Sequence, residues 1–274
     1  MTGFRTHFTL KHRAVAFAST RLFNNFTYTI RHGLAAGMRR KGGLGFLPFK
    51  SDESEESRFL SELRLHGKTV YDIGGFEGVL TLFFASKAGA VITYEPNPRN
   101  YQRCLDNVKL NSLTNVRVLN RGLSDGRGVM ELVFDPLMPG AGSGNENVAH
   151  QITGSIAGAR TIEVPVSTLD EDVNELQLPA PHLIKIDIEG MEAVALRGMK
   201  NTLERHRPDL FIELHGAERD DKIRIAVATM EYLMAAGYRI YDVENRADVT
   251  APVFTGLPPS HIYCTKEGSR LTSE

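Results

Sequence analysis

The sequence has no tryptophan and only two cysteines in 274 residues. Cys104 and Cys264 lie far apart and form no CxxC pair, so no disulfide framework is indicated and a reducing compartment is expected. No run of about eighteen apolar residues occurs, which excludes an apolar membrane-spanning helix and points to a cytoplasmic location. No acidic residue precedes Asp52, whereas Arg5, Lys11, Arg13, Arg21, Arg31, Arg39, Arg40, Lys41 and Lys50 all do. Those early cations interrupt every apolar patch near the start, so a secretory signal is not read there. The whole chain nevertheless carries a net charge of only −1, so there is no overall drive toward nucleic acid. Few clustered aromatics and no tryptophan argue further against an RNA substrate.

With 42% hydrophobic and 24% charged residues, the chain has enough apolar material for one sizeable domain and an appendage. Residues 1–50 read as a basic helical extension and 51–270 as the main domain. Within the extension, Val15, Ala18, Leu22, Phe26, Ile30 and Leu34 recur at three- and four-residue spacing, which predicts one or two amphipathic helices over 9–40. Two readings of that segment stand. One is a helical cap on the main domain. The other is a basic surface for peripheral contact with anionic lipid or with a charged carrier of the substrate.

After Gly67 the pattern becomes alternation of short strands and helices. Strands are predicted at Thr69–Ile73, Ala90–Glu95, Val116–Leu119, Leu183–Ile188, Leu210–Leu214, Tyr238–Val243 and Ile262–Thr265. Helices are predicted at Val79–Ser86, Pro98–Leu110, Ala193–His206 and Asp221–Ala236. This order predicts an α/β fold with a doubly wound, Rossmann-like sheet, mostly parallel and closed by an antiparallel C-terminal strand. A β-rich insertion, Val129–Val166, interrupts the alternation. Its Gly-rich stretch Pro139–Gly144 reads as mobile, and the loop Gly140–Asn145 reads either as a flap that could close over the acceptor or as a disordered surface loop.

The first strand ends in Asp72 and is followed by Gly74, Gly75 and Gly78 before a helix. Glycines there let the backbone turn sharply and approach a ligand closely. A dinucleotide fingerprint starting at Gly74 needs glycines at 76 and 79, and the chain has Phe76 and Val79. What remains is an acid followed by alternating glycines, Asp72-x-Gly74-x-Phe76-x-Gly78, which resembles the S-adenosylmethionine loop of class I methyltransferases. Asp72 is the candidate partner of the cofactor's ammonium, and Gly74 lets the methionine part lie on the backbone. Glu95, at the end of the next strand, is placed to accept both ribose hydroxyls, since a carboxylate only accepts. Asn97 and Asn100 lie just beyond it. Gly122 and Leu123, after the third strand, fall where an adenine would sit.

The match extends beyond this loop. GKTVYDIGGFEG (67–78), YEPNPRNYQRCLDNVKLN (94–111), VSTLDE (166–171), HLIKIDIEGMEAVALRGM (182–199) and RPDLFIELHG (207–216) resemble the FkbM family of methyltransferases. The resemblance covers roughly residues 45–265 and leaves the start of the chain unexplained. It implies a class I methyltransferase fold, S-adenosyl-L-methionine as methyl donor, and usually a hydroxyl acceptor on a sugar, lipid or other natural product. The acceptor itself does not carry over. Gly75 and Glu77 depart from the family's usual residues, and Glu77 adds a negative charge at the cofactor mouth.

Methyl transfer needs an aligned acceptor oxygen and a group to take its proton. Open α/β sheets bind ligands at the carboxyl ends of their strands. Lys185, Asp187 and Glu189 alternate along one strand end, and Glu213 and His215 end its neighbour. The chemistry assigns Asp187 to the reacting methyl and Glu189 to the acceptor pocket. His215 becomes the leading base, because an imidazole titrates near neutrality, and Lys185 pairs with a carboxylate. A divalent metal on Asp187, Glu189, Glu213 and His215 is the less favoured alternative. Two other functions compete with methyl transfer: a catalytically silent S-adenosylmethionine-binding module, and another nucleotide-cofactor enzyme on the same fold.

Overall fold

The structure, a computed structural model, describes residues 23–43, 54–136, 138–156, 158–254, 256–266 and 271. Its centre is an eight-stranded sheet of order β13-β12-β14-β11-β10-β3-β4-β5. The strands are β3 (Thr69–Ile73), β4 (Ala90–Tyr94), β5 (Val116–Leu119), β10 (Leu183–Ile186), β11 (Asp209–Glu213), β12 (Arg239–Asp242), β13 (Ala247–Val249) and β14 (His261–Thr265). β11, β10, β3, β4 and β5 run parallel, and β14 inserts antiparallel between β11 and β12.

Side-chain alternation along these strands builds two cores. Tyr71, Ile184, Leu210 and Ile212 face one side, where Ala195, Leu196, Met199, Leu203 and Met230 from helices cover them. Val70, Leu183 and Phe211 face the other, against Leu60, Leu82, Phe83 and Phe84. A sheet buried on both faces needs continuous apolar strands, which is how LIKI and DLFIE read. The chain leaves β3 toward β4 and β5, then returns to place β10 on the other side of β3. Their carboxyl ends therefore flank a crevice at the point where strand order reverses.

The helices are α1 (Glu55–Glu62), α2 (Val79–Lys87), α3 (Pro98–Leu110), α4 (Glu146–Ser155), α5 (Leu169–Glu175), α6 (Glu192–Arg197), α7 (Lys200–His206) and α8 (Arg219–Ala235). The single helix read over 193–206 is thus two short ones, broken at Gly198. A Cβ on Gly198 would lie 2.0 Å from the Ser124 carbonyl oxygen, so that backbone approaches a neighbouring loop closely.

The insertion forms a second sheet of β6 (Gly122–Leu123), β7 (Gly128–Asp135), β8 (Met138–Ser143) and β9 (Arg160–Ser167), ordered β6-β9-β7-β8. The expected mobile loop at 139–144 is mostly β8, paired antiparallel with β7. It is fixed from below as well. Ser143 Oγ donates to the Glu189 carbonyl at 2.6 Å, and Asn145 Nδ2 donates to the Gly190 carbonyl at 3.1 Å.

The N-terminal expectation needs correction where it can be compared. Residues 1–22 lie outside the described residues, including Lys11, Arg13 and Arg21. Residues 23–43 contain no helix but a hairpin, β1 (Thr27–Thr29) and β2 (Arg39–Lys41). Tyr28 and Ile30 are buried while Thr27 and Thr29 are not, a two-residue period over a β-branched run. The hairpin sits on α3: Lys41 Nζ pairs with Asp106 at 2.9 Å, and Asn107 and Asn111 accept the Lys41 and Arg39 amides at 2.8 Å. No helix among the described residues is long and apolar enough to cross a membrane.

Candidate active site

A cavity of about 300 Å³ opens at the crevice between β3 and β10. One end is built around Glu95, which is only 5% exposed. Its Oε2 accepts the Phe76 amide at 2.8 Å, and its Oε1 accepts the Asn97 amide at 2.8 Å. Phe76 reaches this position in the left-handed region, at φ 50°. Asn97 caps α3 by accepting the Arg99 amide, and Asn100 Nδ2 lies 3.4 Å from Glu95 Oε1. Gly74, Phe76, Asn97, Asn100, Gly122 and Leu123 all line this end with Glu95. Burial lifts the Glu95 carboxyl to a pKa of about 7, against the pull of the Asn97 and Phe76 amides.

Two residues assigned to the cofactor from sequence are not on the cavity wall. Asp72 is fully buried behind it. Its Oδ2 accepts the Thr81 hydroxyl at 2.6 Å, and its Oδ1 faces Lys185 Nζ at 3.4 Å. Gly78 begins α2 with φ 86°, where a Cβ would lie 2.7 Å from Cys104 Sγ. Gly74 does face the cavity, and a Cβ there would lie 1.8 Å from the Asp187 carbonyl oxygen. That contact joins the loop after β3 to the segment after β10.

The other end of the cavity is charged. Asp187, Glu189, Glu213 and His215 line it, whereas Lys185 stands behind. β10 stops at Ile186, and the chain turns through Glu189 at φ 55° and Gly190 at φ 98°. Strand alternation therefore does not carry Glu189 to the wall; the turn does. Lys185, 3% exposed, reaches Asp187 Oδ2 at 3.3 Å and the Gly74 carbonyl at 3.0 Å. Burial opposes its charge, but Asp187 and Asp72 outweigh that and hold its pKa above the ordinary lysine value.

His215 is enclosed by acids. Nδ1 lies 3.2 Å from Glu192 Oε1; Nε2 lies 3.2 Å from Glu213, 3.7 Å from Asp187 and 3.8 Å from Glu189. Burial disfavours its charge, yet the bonds to Glu192 and Glu213 hold its pKa well above the ordinary value. His215 is thereby clamped between Glu192 behind it and the cavity acids in front. Glu213 is held below the usual carboxylate range: burial works against this, and His215 and His261 prevail.

Sequence reasoning missed Glu192 and His261. Glu192 is fully buried at the start of α6, and its Oε1 also accepts the Gly190 amide at 2.9 Å. His261 stands opposite Glu213 in the β11–β14 register and lies 2.5 Å from Glu244 through Nδ1. Burial lowers the His261 pKa, but Glu213 and Glu244 raise it to about 9. Glu192 carried a signal, an acid in a first helical turn. His261 carried none, because antiparallel register is not written in either strand alone.

Residues 72–240 match the methyltransferase FkbM domain. The chain belongs to the FkbM methyltransferase family. Hexuronic acid methyltransferase AglP of Haloferax volcanii is 32% identical over 163 residues, covering 60% of this chain and 62% of the relative. Methyltransferase 1 of Beauveria bassiana is 27% identical over 145 residues, covering 47% and 57%. The chain thus spans about three-fifths of the length of these curated relatives. The solved methyltransferase FkbM of Methylobacillus flagellatus aligns at 18% identity with a TM-score of 0.46, covering 72% of this chain and 43% of that one.

The cofactor this family implies, S-adenosylmethionine, finds suitable residues here. Glu95 offers carboxylate lone pairs beyond the two amides it accepts. Asn97 Nδ2 is buried at the cavity without a hydrogen-bond partner among the described residues. A buried donor of that kind is costly unless a ligand satisfies it. The Glu77 departure is also accounted for: Arg40 of the hairpin pairs with it at 2.6 Å, and Asn107 Nδ2 donates to its carbonyl at 2.8 Å. Its charge is neutralised beside the loop.

Proposed function

We propose that this FkbM-family methyltransferase methylates a hydroxyl oxygen on a sugar or a sugar-bearing lipid or natural product, using S-adenosylmethionine. The carrying observation is one cavity with a polar, amide-fixed carboxylate at one end and an acidic wall at the other. Glu95, Asn97, Gly74 and Leu123 would hold the cofactor, which supplies an electrophilic methyl on a sulfonium. Asp187 is the proton acceptor: a hydroxyl oxygen that gains a methyl becomes strongly acidic, and a nearby carboxylate is then base enough. Glu189, on the same wall, orients the acceptor.

The hexuronic acid relative supports a sugar acceptor and raises a second reading, esterification of a sugar carboxylate. Proton handling separates the two. A carboxylate acceptor needs no base, whereas a hydroxyl needs one, and the wall supplies carboxylates for that role. The test is calorimetry with S-adenosylmethionine, then labelled-methyl transfer to paired neutral sugars and hexuronates. Alkali-stable label is expected, as from an ether. Label released by mild alkali would mean an ester and overturn the hydroxyl reading. Cofactor binding with no transfer to any acceptor would support a silent binding module.

Glu95 makes the cofactor end pH-sensitive. Only its charged form accepts hydrogen bonds on all its lone pairs. With its pKa near 7, cofactor affinity should rise between pH 6 and pH 8, by at most about tenfold per unit below the midpoint. Glu95→Gln should bind about 100-fold more weakly and show no such rise, as two charged hydrogen bonds are lost. Calorimetry at the two pH values decides it, and a flat wild-type profile would remove Glu95 from the ribose site. For stability the sign is opposite. The raised acid contributes fully below its ordinary 4.5, and that contribution is lost as pH climbs through 7.

A further inference from the structure

We propose that Asp187, Glu213 and His215 form a binding site for a divalent cation of the Mn²⁺ type. One ligand atom from each lies within 4.8 Å of the others, and all three residues line the cavity. Nε2 of His215 is 3.2 Å from Glu213 Oε1 and 3.7 Å from Asp187 Oδ1. Adjacent ligands of an octahedral ion with bonds of about 2.1–2.3 Å stand about 3 Å apart, so modest inward movement would seat one.

The stronger argument lies behind these atoms. Each residue offers one polar atom to the common point while its other atom is held by a residue outside the set. Asp187 Oδ2 takes Lys185 Nζ at 3.3 Å. Glu213 Oε2 faces His261 Nε2 at 3.7 Å. His215 Nδ1 faces Glu192 Oε1 at 3.2 Å, and that carboxylate is itself fixed by the Gly190 amide. A buried carboxylate on the far nitrogen of a histidine sets ring orientation and leaves Nε2 as the ligand atom. Glu192 is fully buried, and its Oε2 has no hydrogen-bond partner among the described residues, so a buried acceptor stands unsatisfied directly behind the ligand histidine. Two carboxylates and one imidazole suit Mn²⁺ or a related first-row ion. The ion's role, drawing the acceptor hydroxyl to the wall and easing its deprotonation, rests on the hydroxyl reading above; its binding does not.

The full chain, freed of metal by chelation, is titrated with Mn²⁺ alone while free Mn²⁺ is counted by its electron spin resonance. One ion per chain is expected. Glu213→Gln and His215→Gln should each weaken it at least tenfold, and Asp106→Asn, an acid outside the cavity, should leave it unchanged. S-adenosylmethionine is titrated separately into the same variants, so that retained cofactor binding certifies their fold. Wild-type protein that leaves Mn²⁺ free at millimolar concentration would overturn the site, as would both variants binding Mn²⁺ as tightly as wild type. Failure of cofactor binding with Mn²⁺ still bound would instead strike the methyltransferase reading and leave the site standing.

Discussion

Lys185→Met should destabilise the fold by about 3–5 kcal/mol, the usual consequence of deleting one partner from a buried ion pair. Lys185 is 3% exposed and Asp72 is fully buried, so water cannot replace the ammonium. Thr81 would remain on Oδ2, and Oδ1 would face a methionine. Denaturant unfolding measures the loss. The double variant with Asp72→Asn should recover a substantial part, since the stranded charge is then gone. A single-variant loss below about 1 kcal/mol would show that Asp72 escapes its burial and that the ion pair does not fasten β3 to β10. Because Lys185 also binds the Gly74 carbonyl, the same change should loosen the cofactor loop.

Asp187→Asn should lower kcat about 10²–10⁴-fold, the range for a positioned acid–base group, with cofactor affinity changed only a few-fold. The asymmetry follows from the cavity. In the proposed reading Glu95 and Asn97 hold the cofactor, while Asp187 lies at the acidic end of the same cavity. Steady-state rates with the acceptor found by the labelled-methyl screen, combined with calorimetry, separate the two effects. Activity within tenfold of wild type would move proton acceptance to Glu189 or Glu213.

The sheet was readable because β3, β10 and β11 are apolar, short and spaced by helices, and because fold and strand ends follow from that pattern. Side-chain direction at those ends was harder. Asp72 occupies the expected strand end, yet it turns inward toward Thr81 and Lys185 and does not meet the cavity. A strand buried on both faces gives no polar alternation from which to read direction. Glu95 was easier, because Asn97 opens the next helix and forces the intervening turn to fold back on the acid. At the N-terminus a long helical period outweighed a short one. The six apolar positions from Val15 to Leu34 fit a helix, but Thr27–Thr29 pairs with Arg39–Lys41 around left-handed glycines at 33 and 37. Tertiary pairing overrode local spacing there.

Asn107 has a consequence of its own. Its side-chain amide donates to the Glu77 carbonyl and accepts the Lys41 amide, so a single group is shared by the cofactor loop and the hairpin. A shared group of that kind couples the two segments' fluctuations: whatever quiets the loop lowers the rate at which the hairpin lets go. Deuterium uptake at the Lys41 amide should therefore slow when S-adenosylmethionine is added, although the hairpin contributes nothing to the cavity wall. The hairpin then works as a gauge of occupancy read from outside the site, and Asn107→Ala should disconnect it, leaving uptake at Lys41 indifferent to the cofactor.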